Sequence, residues 1–249
     1  MSRRYRDRMN PTAAAVFRNA LGDGVFLVGW HIQGLRVRGS RPRVSINHRH
    51  DPILILPGVY ESPHFLDPLA AVIRTTGRPV HTVGALRRNR GRITDSAILV
   101  RRYVEACDLR NVTIVAHSKG GLIGKQLMVW PETSDRIRSM IAVATPFGGS
   151  RYARHAPTRV LRDFSPLDAT VRELAANRAA NATITSIFGP LDPQIPDGSR
   201  LTGARNILLA TPGHFRPLGT PQLHRLLRVL LTAELASSVP VNDPPVRLP

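Results

Sequence analysis

A serine lies between a buried-strand pattern and a glycine-rich helical pattern. Residues 112–116 form an apolar, β-branched run, and apolar residues recur at helical spacing from position 122. Ser118 would occupy the sharp turn between them, whose strained backbone requires small residues two before and two after, as Ala116 and Gly120 are. The helix N-terminus behind the turn offers N–H groups to a developing oxyanion. The pattern predicts a nucleophilic serine; the alternative is a serine in a phosphate-binding or plain strand-to-helix turn.

A carboxylate and a histidine follow the last two predicted strands. Asp192 comes after the first of these strands and His214 after the second. A histidine can take the serine proton as general base, and a carboxylate fixes its tautomer and stabilises the imidazolium. Asp197 competes for the acid role, but it lies in a turn-like Asp-Gly-Ser sequence beyond two prolines. His224 competes for the base role, but it falls within a helical pattern.

Residues 116–121, Ala-His-Ser-Lys-Gly-Gly, resemble the A-H-S-x-G-G turn of bacterial lipases and esterases of the α/β-hydrolase superfamily. The resemblance extends from about residue 52 to residue 231 and includes a T-P-x-x-G sequence at 145–149. It implies the family order of nucleophile, acid and histidine, which Ser118, Asp192 and His214 follow. It also implies carboxylic esters as substrates. Thioester or amide hydrolysis and acyl transfer to another alcohol use the same residues, so they stay open.

The same resemblance suggests two backbone donors for the oxyanion. Residues 53–58 form an apolar strand ending in glycine, where the family usually has His-Gly, and Pro57 departs from that histidine. In such lipases the residue after this glycine and the residue after the nucleophile each give one N–H. Here these residues are Val59 and Lys119, and only their amides are needed. For Gly58 a plain turn is the alternative. The reaction implies no cofactor and no metal.

The elements that position these residues alternate between strands and helices. Continuous apolar runs separated by helical stripes are typical of an α/β protein, here an α/β-hydrolase fold with a mostly parallel sheet covered on both faces. The predicted strands are residues 53–56, 80–83, 112–116, 140–144, 183–188 and 206–210.

Three regions of the chain are distinguished by composition. Residues 1–50 are an Arg-rich extension that we expect to pack in part on the core, as edge strands or a helix. Residues 51–236 form the hydrolase domain, in which 147–180 are either a small cap over the pocket or a surface crossover with a buried face. Residues 237–249 are Pro-rich, which predicts a disordered tail.

The net charge of +18 comes almost wholly from arginine. The arginines are dispersed without a nucleic-acid-binding motif, so nucleic acid is not an expected partner. We expect a small-molecule or lipid ester substrate and a cytoplasmic protein that contacts anionic membranes peripherally; the oligomeric state stays open. Cys107 is the only cysteine, which excludes an internal disulfide. A rival class is a basic module that binds nucleic acid or anionic membrane on a vestigial hydrolase fold.

Overall fold

In the described part of the chain, six strands form one parallel sheet at the centre. The computed structural model describes residues 12–38, 51–62 and 64–238. The strands are β1 (Ile53–Leu56), β2 (Val80–Thr82), β3 (Val112–His117), β4 (Ile137–Val143), β5 (Ile184–Phe188) and β6 (Arg205–Leu208). They lie in the spatial order β2-β1-β3-β4-β5-β6, and every neighbouring pair is parallel. Parallel strands place all their carboxyl ends at one edge of the sheet.

Helices cover both faces of this sheet. They are α1 (Ala13–Arg38), α2 (Asp67–Arg74), α3 (Ile93–Ala106), α4 (Lys119–Val129), α5 (Arg159–Arg162), α6 (Ala169–Ala176) and α7 (Pro221–Ser238). The predicted α/β class, with a parallel sheet between two layers of helices, is confirmed.

Strand β1 contributes side chains to the apolar clusters on both faces of the sheet. Leu54 and Leu56 belong to the apolar cluster on one face, where α3 and α4 pack, while Ile53 and Ile55 belong to the cluster on the other face, with α2 and α7. Successive side chains of a strand point to opposite faces, so a strand buried on both sides is apolar at every position. All four residues are at most 1% exposed. The uninterrupted run follows from this double burial.

Helix α1 is the main structural element of the N-terminal extension. Trp30 is buried in the same cluster as α2 and α7, and its indole N–H donates to the carbonyl of Phe65 at 2.7 Å. Phe26 stacks on Trp30 with ring centroids 5.3 Å apart. The remaining residues of the extension, 1–11 and 39–50, lie outside the described residues. Residues 237 and 238 end α7, and the rest of the predicted tail also lies outside.

Within the described part of the chain, no helix is both long enough and apolar enough to cross a membrane.

Candidate active site

Ser118 lies in a tight turn between β3 and α4. Its backbone has φ of 50° and ψ of −120°, a left-handed conformation that is strained for any residue except glycine. Two glycines allow the helix to begin this close to the sheet. A Cβ at Gly120 would clash with the carbonyl of Leu56, and one at Gly121 would clash with a threonine side chain. The turn therefore holds the serine at the edge where the strands end.

A hydrogen-bonded chain joins Ser118 to a histidine and a carboxylate. His214 Nε2 lies 3.0 Å from Ser118 Oγ, and His214 Nδ1 lies 2.7 Å from Asp192 Oδ2. Asp192 follows β5, and its other oxygen accepts the N–H groups of Gln194 at 2.8 Å and Ile195 at 3.1 Å. The carboxylate is thus fixed by its own loop. The structure brings together the three side chains that the sequence singles out.

The electrostatics of the pair favour a charged carboxylate facing the imidazole. Burial tends to raise the pKa of Asp192, but the attraction and hydrogen bond of His214, with the two loop N–H groups, outweigh it and lower this pKa overall. Burial likewise tends to lower the pKa of His214, but Asp192 chiefly, with Glu61 and Asp23, raises it overall. The site therefore stabilises an imidazolium, the form that a histidine takes after accepting a serine proton.

The two expected oxyanion donors lie beside the serine. Val59 lines the same cavity as Ser118. Lys119 is the first residue of α4, where N–H groups have no partner within the helix. The Lys119 ammonium is directed elsewhere, because it donates to the carbonyl oxygens of Asn89 at 3.0 Å and of Gly91. Burial lowers the pKa of this ammonium to about 8. The Lys119 side chain is therefore held by these two carbonyl groups and leaves only the amide for the role that the resemblance implies.

A cavity of about 290 Å³ opens over Ser118 and His214. Most of its wall is apolar, with side chains that include Val59, Leu161 and Ile195. Such a cavity accepts an uncharged, apolar group next to the serine.

The segment 147–180 divides between the two alternatives considered for it. Its first part covers the cavity, since Tyr152, Leu161 and Phe164 line the wall. Its second part packs on the sheet layer, since Val171 and Leu174 of α6 are each 1% exposed in the core cluster next to α4. Within this segment, the side chains that line the cavity lie no farther along the chain than Phe164.

Asp23 is a residue of the site that sequence reasoning missed. It lies on α1, is 4% exposed, and its carboxylate accepts the backbone N–H groups of His214 at 2.7 Å, Arg216 at 3.2 Å and Phe215 at 3.3 Å. Charged acceptors form strong hydrogen bonds, so Asp23 fixes the loop that carries the histidine. The only sequence signal is that Asp23 is one of two acidic residues in the Arg-rich first fifty.

Glu61 and His117 form a second buried connection. Glu61 accepts the N–H of Gly58 at 2.5 Å and lies 2.6 Å from His117 Nδ1, while His117 Nε2 lies 3.2 Å from the carbonyl of His214. The His117 ring therefore bridges the Glu61 carboxyl group and the backbone carbonyl of His214. The pair ties the turn before Val59 to the histidine loop. No local sequence pattern indicates this contact, because 56 positions separate Glu61 from His117.

The two competing residues lie in other contacts. Asp197 accepts the backbone N–H of Arg151 at 3.0 Å and its guanidinium Nε at 2.8 Å. His224 lies on α7 with Nε2 2.7 Å from the carbonyl of Leu218. Neither side chain contacts Ser118 among the described residues.

The fold can be compared with solved structures. An extracellular α/β-hydrolase of a Paenibacillus species is 16% identical, with 74% of this chain and 98% of that chain aligned and a TM-score of 0.53. A Bacillus licheniformis lipase is 15% identical, with 74% and 95% aligned and a TM-score of 0.55. A haloalkane dehalogenase of Agrobacterium tumefaciens is 14% identical, with 74% and 90% aligned and a TM-score of 0.53. No protein-family model and no curated protein matches the chain. The fold is that of the α/β-hydrolases, a fold that carries several chemistries.

Proposed function

We propose that this chain, which has the α/β-hydrolase fold, is a serine hydrolase that cleaves carboxylic esters with apolar acyl groups. The observation that carries the proposal is the hydrogen-bonded chain from Ser118 through His214 to Asp192 beneath an apolar cavity. A serine, a histidine and a carboxylate in this order and geometry are suited to acyl transfer. The fold alone supports several reactions, so the proposal rests on the site.

The first half of the reaction forms an acyl-enzyme. Ser118 Oγ attacks the ester carbonyl while its proton moves to His214 Nε2, and Asp192 stabilises the imidazolium through Nδ1–H. The negative charge on the carbonyl oxygen is held by the amides of Val59 and Lys119. The ester C–O bond then breaks, and the leaving alkoxide takes the proton from Nε2. The product of this half is an alcohol and an acyl group on Ser118.

The second half repeats these steps with water. Water gives a proton to His214 Nε2 as its oxygen attacks the acyl carbonyl, and the bond to Ser118 breaks as the proton returns to Oγ. The carboxylic acid leaves and the serine is restored. If another alcohol or an amine took the place of water, the same residues would perform acyl transfer. A thioester or an amide would enter through the same first half.

The composition of the cavity wall favours an ester with an uncharged acyl group over one with a charged acyl group. Among the described residues that line it, no arginine, lysine, aspartate or glutamate is present, so a charged acyl group would lose its hydration without a partner. An acyl chain gains free energy from contact with Val59, Leu161, Phe164 and Ile195. The lipase of Bacillus licheniformis shares the fold at low identity and gives an additional, weaker reason to consider lipid esters.

The proposal is tested with a panel of nitrophenyl esters of increasing acyl length, with and without an emulsion interface. We expect hydrolysis by the wild-type chain and loss of about 10³-fold or more in turnover for His214→Ala. His224→Ala is the matched control and should retain activity, because its imidazole Nε2 is bonded to the carbonyl of Leu218 and does not line the cavity. Hydrolysis that survives His214→Ala, or that requires His224, would overturn the assignment.

The acyl-length profile separates the remaining alternatives. An esterase loses activity on long chains, a lipase gains activity at the interface, and an acyltransferase yields a new ester when an alcohol is added. An absence of hydrolysis on every ester, together with retention on DNA, would favour the basic binding module instead.

A further inference from the structure

Three large apolar side chains lie exposed on one side of α1. Phe17 is 68% exposed, Leu21 is 61% exposed and Val25 is 69% exposed. They are spaced four residues apart, so they lie one above another along the helix. We refer to these three residues as the apolar stripe. A contiguous exposed apolar surface of this kind on a soluble chain commonly marks an interaction site.

The opposite side of α1 is anchored in the protein. Asp23 is bonded to the histidine loop, Trp30 is buried, and Phe26 contacts Gly219 closely enough that a Cβ there would clash. Near the start of the helix, Asn19 accepts a hydrogen bond from the Arg216 guanidinium. Because the inner side is fixed, the apolar stripe cannot turn inward by rotation of the helix. The apolar stripe is therefore exposed because the opposite side of α1 is held by these contacts.

The charge around α1 indicates the chemistry of the partner. Residues 1–50 contain ten arginines and only two aspartates, one of which is the buried Asp23. Four arginines lie within the first eight residues, Arg36 and Arg38 end the helix, and Arg18 is exposed on the helix itself. Guanidinium groups near a surface are attracted to anionic lipid headgroups, while neighbouring apolar side chains insert below them. An apolar stripe beside the exposed Arg18, on a helix that arginines precede and end in the sequence, fits such a surface.

We propose that α1 binds the surface of an anionic lipid bilayer and lies in its plane, with the apolar stripe at the boundary between headgroups and acyl chains. The proposal is independent of ester cleavage, because none of the three residues lines the cavity over Ser118. Docking of a second copy through the same stripe is disfavoured, since it would bring together two chains that each carry a net charge of +18. The bilayer supplies the opposite charge that a second copy lacks.

The test is flotation of the full chain with vesicles of phosphatidylcholine alone or mixed with phosphatidylglycerol. We expect binding to the mixed vesicles only, weakened when salt is raised from roughly 0.05 to 0.5 M because surface attraction is screened. The triple variant F17S/L21S/V25S should bind about tenfold or more weakly, because it keeps the arginines but loses the inserted area. Its hydrolysis of a soluble nitrophenyl ester should equal that of wild type, which shows that it is folded.

A control variant removes three exposed apolar side chains elsewhere on the protein. Leu167, Leu208 and Val229 are between 55% and 64% exposed, and L167S/L208S/V229S should bind mixed vesicles as wild type does. The proposal is overturned if wild type ignores the mixed vesicles, if it binds neutral vesicles equally, or if the stripe variant binds as wild type. It is also overturned if light scattering shows a wild-type dimer that the stripe variant loses while vesicle binding is unchanged. Failure of vesicle binding with intact esterase activity would leave the proposed hydrolase function standing.

Discussion

Replacement of Asp192 by asparagine should remove most of the activity while leaving the loop in place. The asparagine oxygen can keep the position of Oδ1, which accepts the N–H groups of Gln194 and Ile195. Its NH₂ group then lies where Oδ2 stands, 2.7 Å from His214 Nδ1. Because NH₂ only donates, the imidazole must turn its lone pair to Nδ1 and carry its proton on Nε2. A protonated Nε2 cannot accept the proton of Ser118.

The magnitude follows from the wrong tautomer and the lost charge. We expect kcat to fall by about 10⁴, equivalent to roughly 5 kcal/mol in the activation free energy. The pH dependence should change as well. The pKa of His214 is raised above its ordinary 6.5, so wild-type kcat/KM falls as pH drops through that raised value and the base becomes protonated. In Asp192→Asn the carboxylate charge is absent, and burial then lowers the pKa of His214. The fall of kcat/KM on the acid side should therefore move to lower pH.

The assay is kcat/KM for a soluble nitrophenyl ester across pH, with Asp197→Asn as the control. Asp197 bonds Arg151 at the surface, so its replacement should alter kcat/KM by no more than about threefold. Near wild-type turnover in Asp192→Asn, or loss of activity in Asp197→Asn alone, would transfer the acid role and refute the reasoning.

Three further substitutions test the surroundings of the site. Asp23→Ala leaves the buried N–H of His214 and the half-buried N–H groups of Phe215 and Arg216 without this acceptor. It should lower the free energy of unfolding by about 3 kcal/mol, measured in urea; a loss below about 1 kcal/mol would contradict this role. Glu61→Gln removes the charge that faces His117, and we expect turnover and the rate of fluorophosphonate labelling to fall about tenfold, whereas unchanged rates would show that this pair does not position the site. Gly120→Ala should prevent folding because its Cβ would clash with a strand carbonyl, so soluble protein with the wild-type melting temperature would contradict the turn geometry.

The bounds of a strand are predicted well from the sequence where its residues are apolar, and less accurately where they are polar. Strand β1 has the predicted bounds, but β4 begins at Ile137 and not at residue 140. The added residues include Arg138, which donates to Asp51 at 2.9 Å, and Ser139, which donates to Glu234 at 2.7 Å. These partners are far away in sequence, so no local pattern indicates that the polar residues belong to a strand. Only the folded chain brings them together.

The same distinction applies to the site. Ser118, Asp192 and His214 could be singled out because each follows a strand pattern at the sheet edge where such sites assemble. Asp23 and Glu61 could not, because Asp23 accepts backbone N–H groups of a distant loop and Glu61 contacts a histidine 56 positions away, and no local pattern indicates either contact. The bond from Asp23 to the His214 amide spans 191 positions. Residues that follow a local pattern can be predicted from the sequence, whereas contacts between distant positions are identified only in the folded structure.

The central claim is tested most directly by covalent labelling with a fluorophosphonate, read by intact mass and peptide mapping. We expect one adduct per chain, located on Ser118, because Ser118 Oγ lies 3.0 Å from His214 Nε2. Ser118→Ala should lose the adduct while keeping the wild-type melting temperature, since only the hydroxyl is removed. An unlabelled wild-type chain, or an adduct on any other residue, would contradict the account.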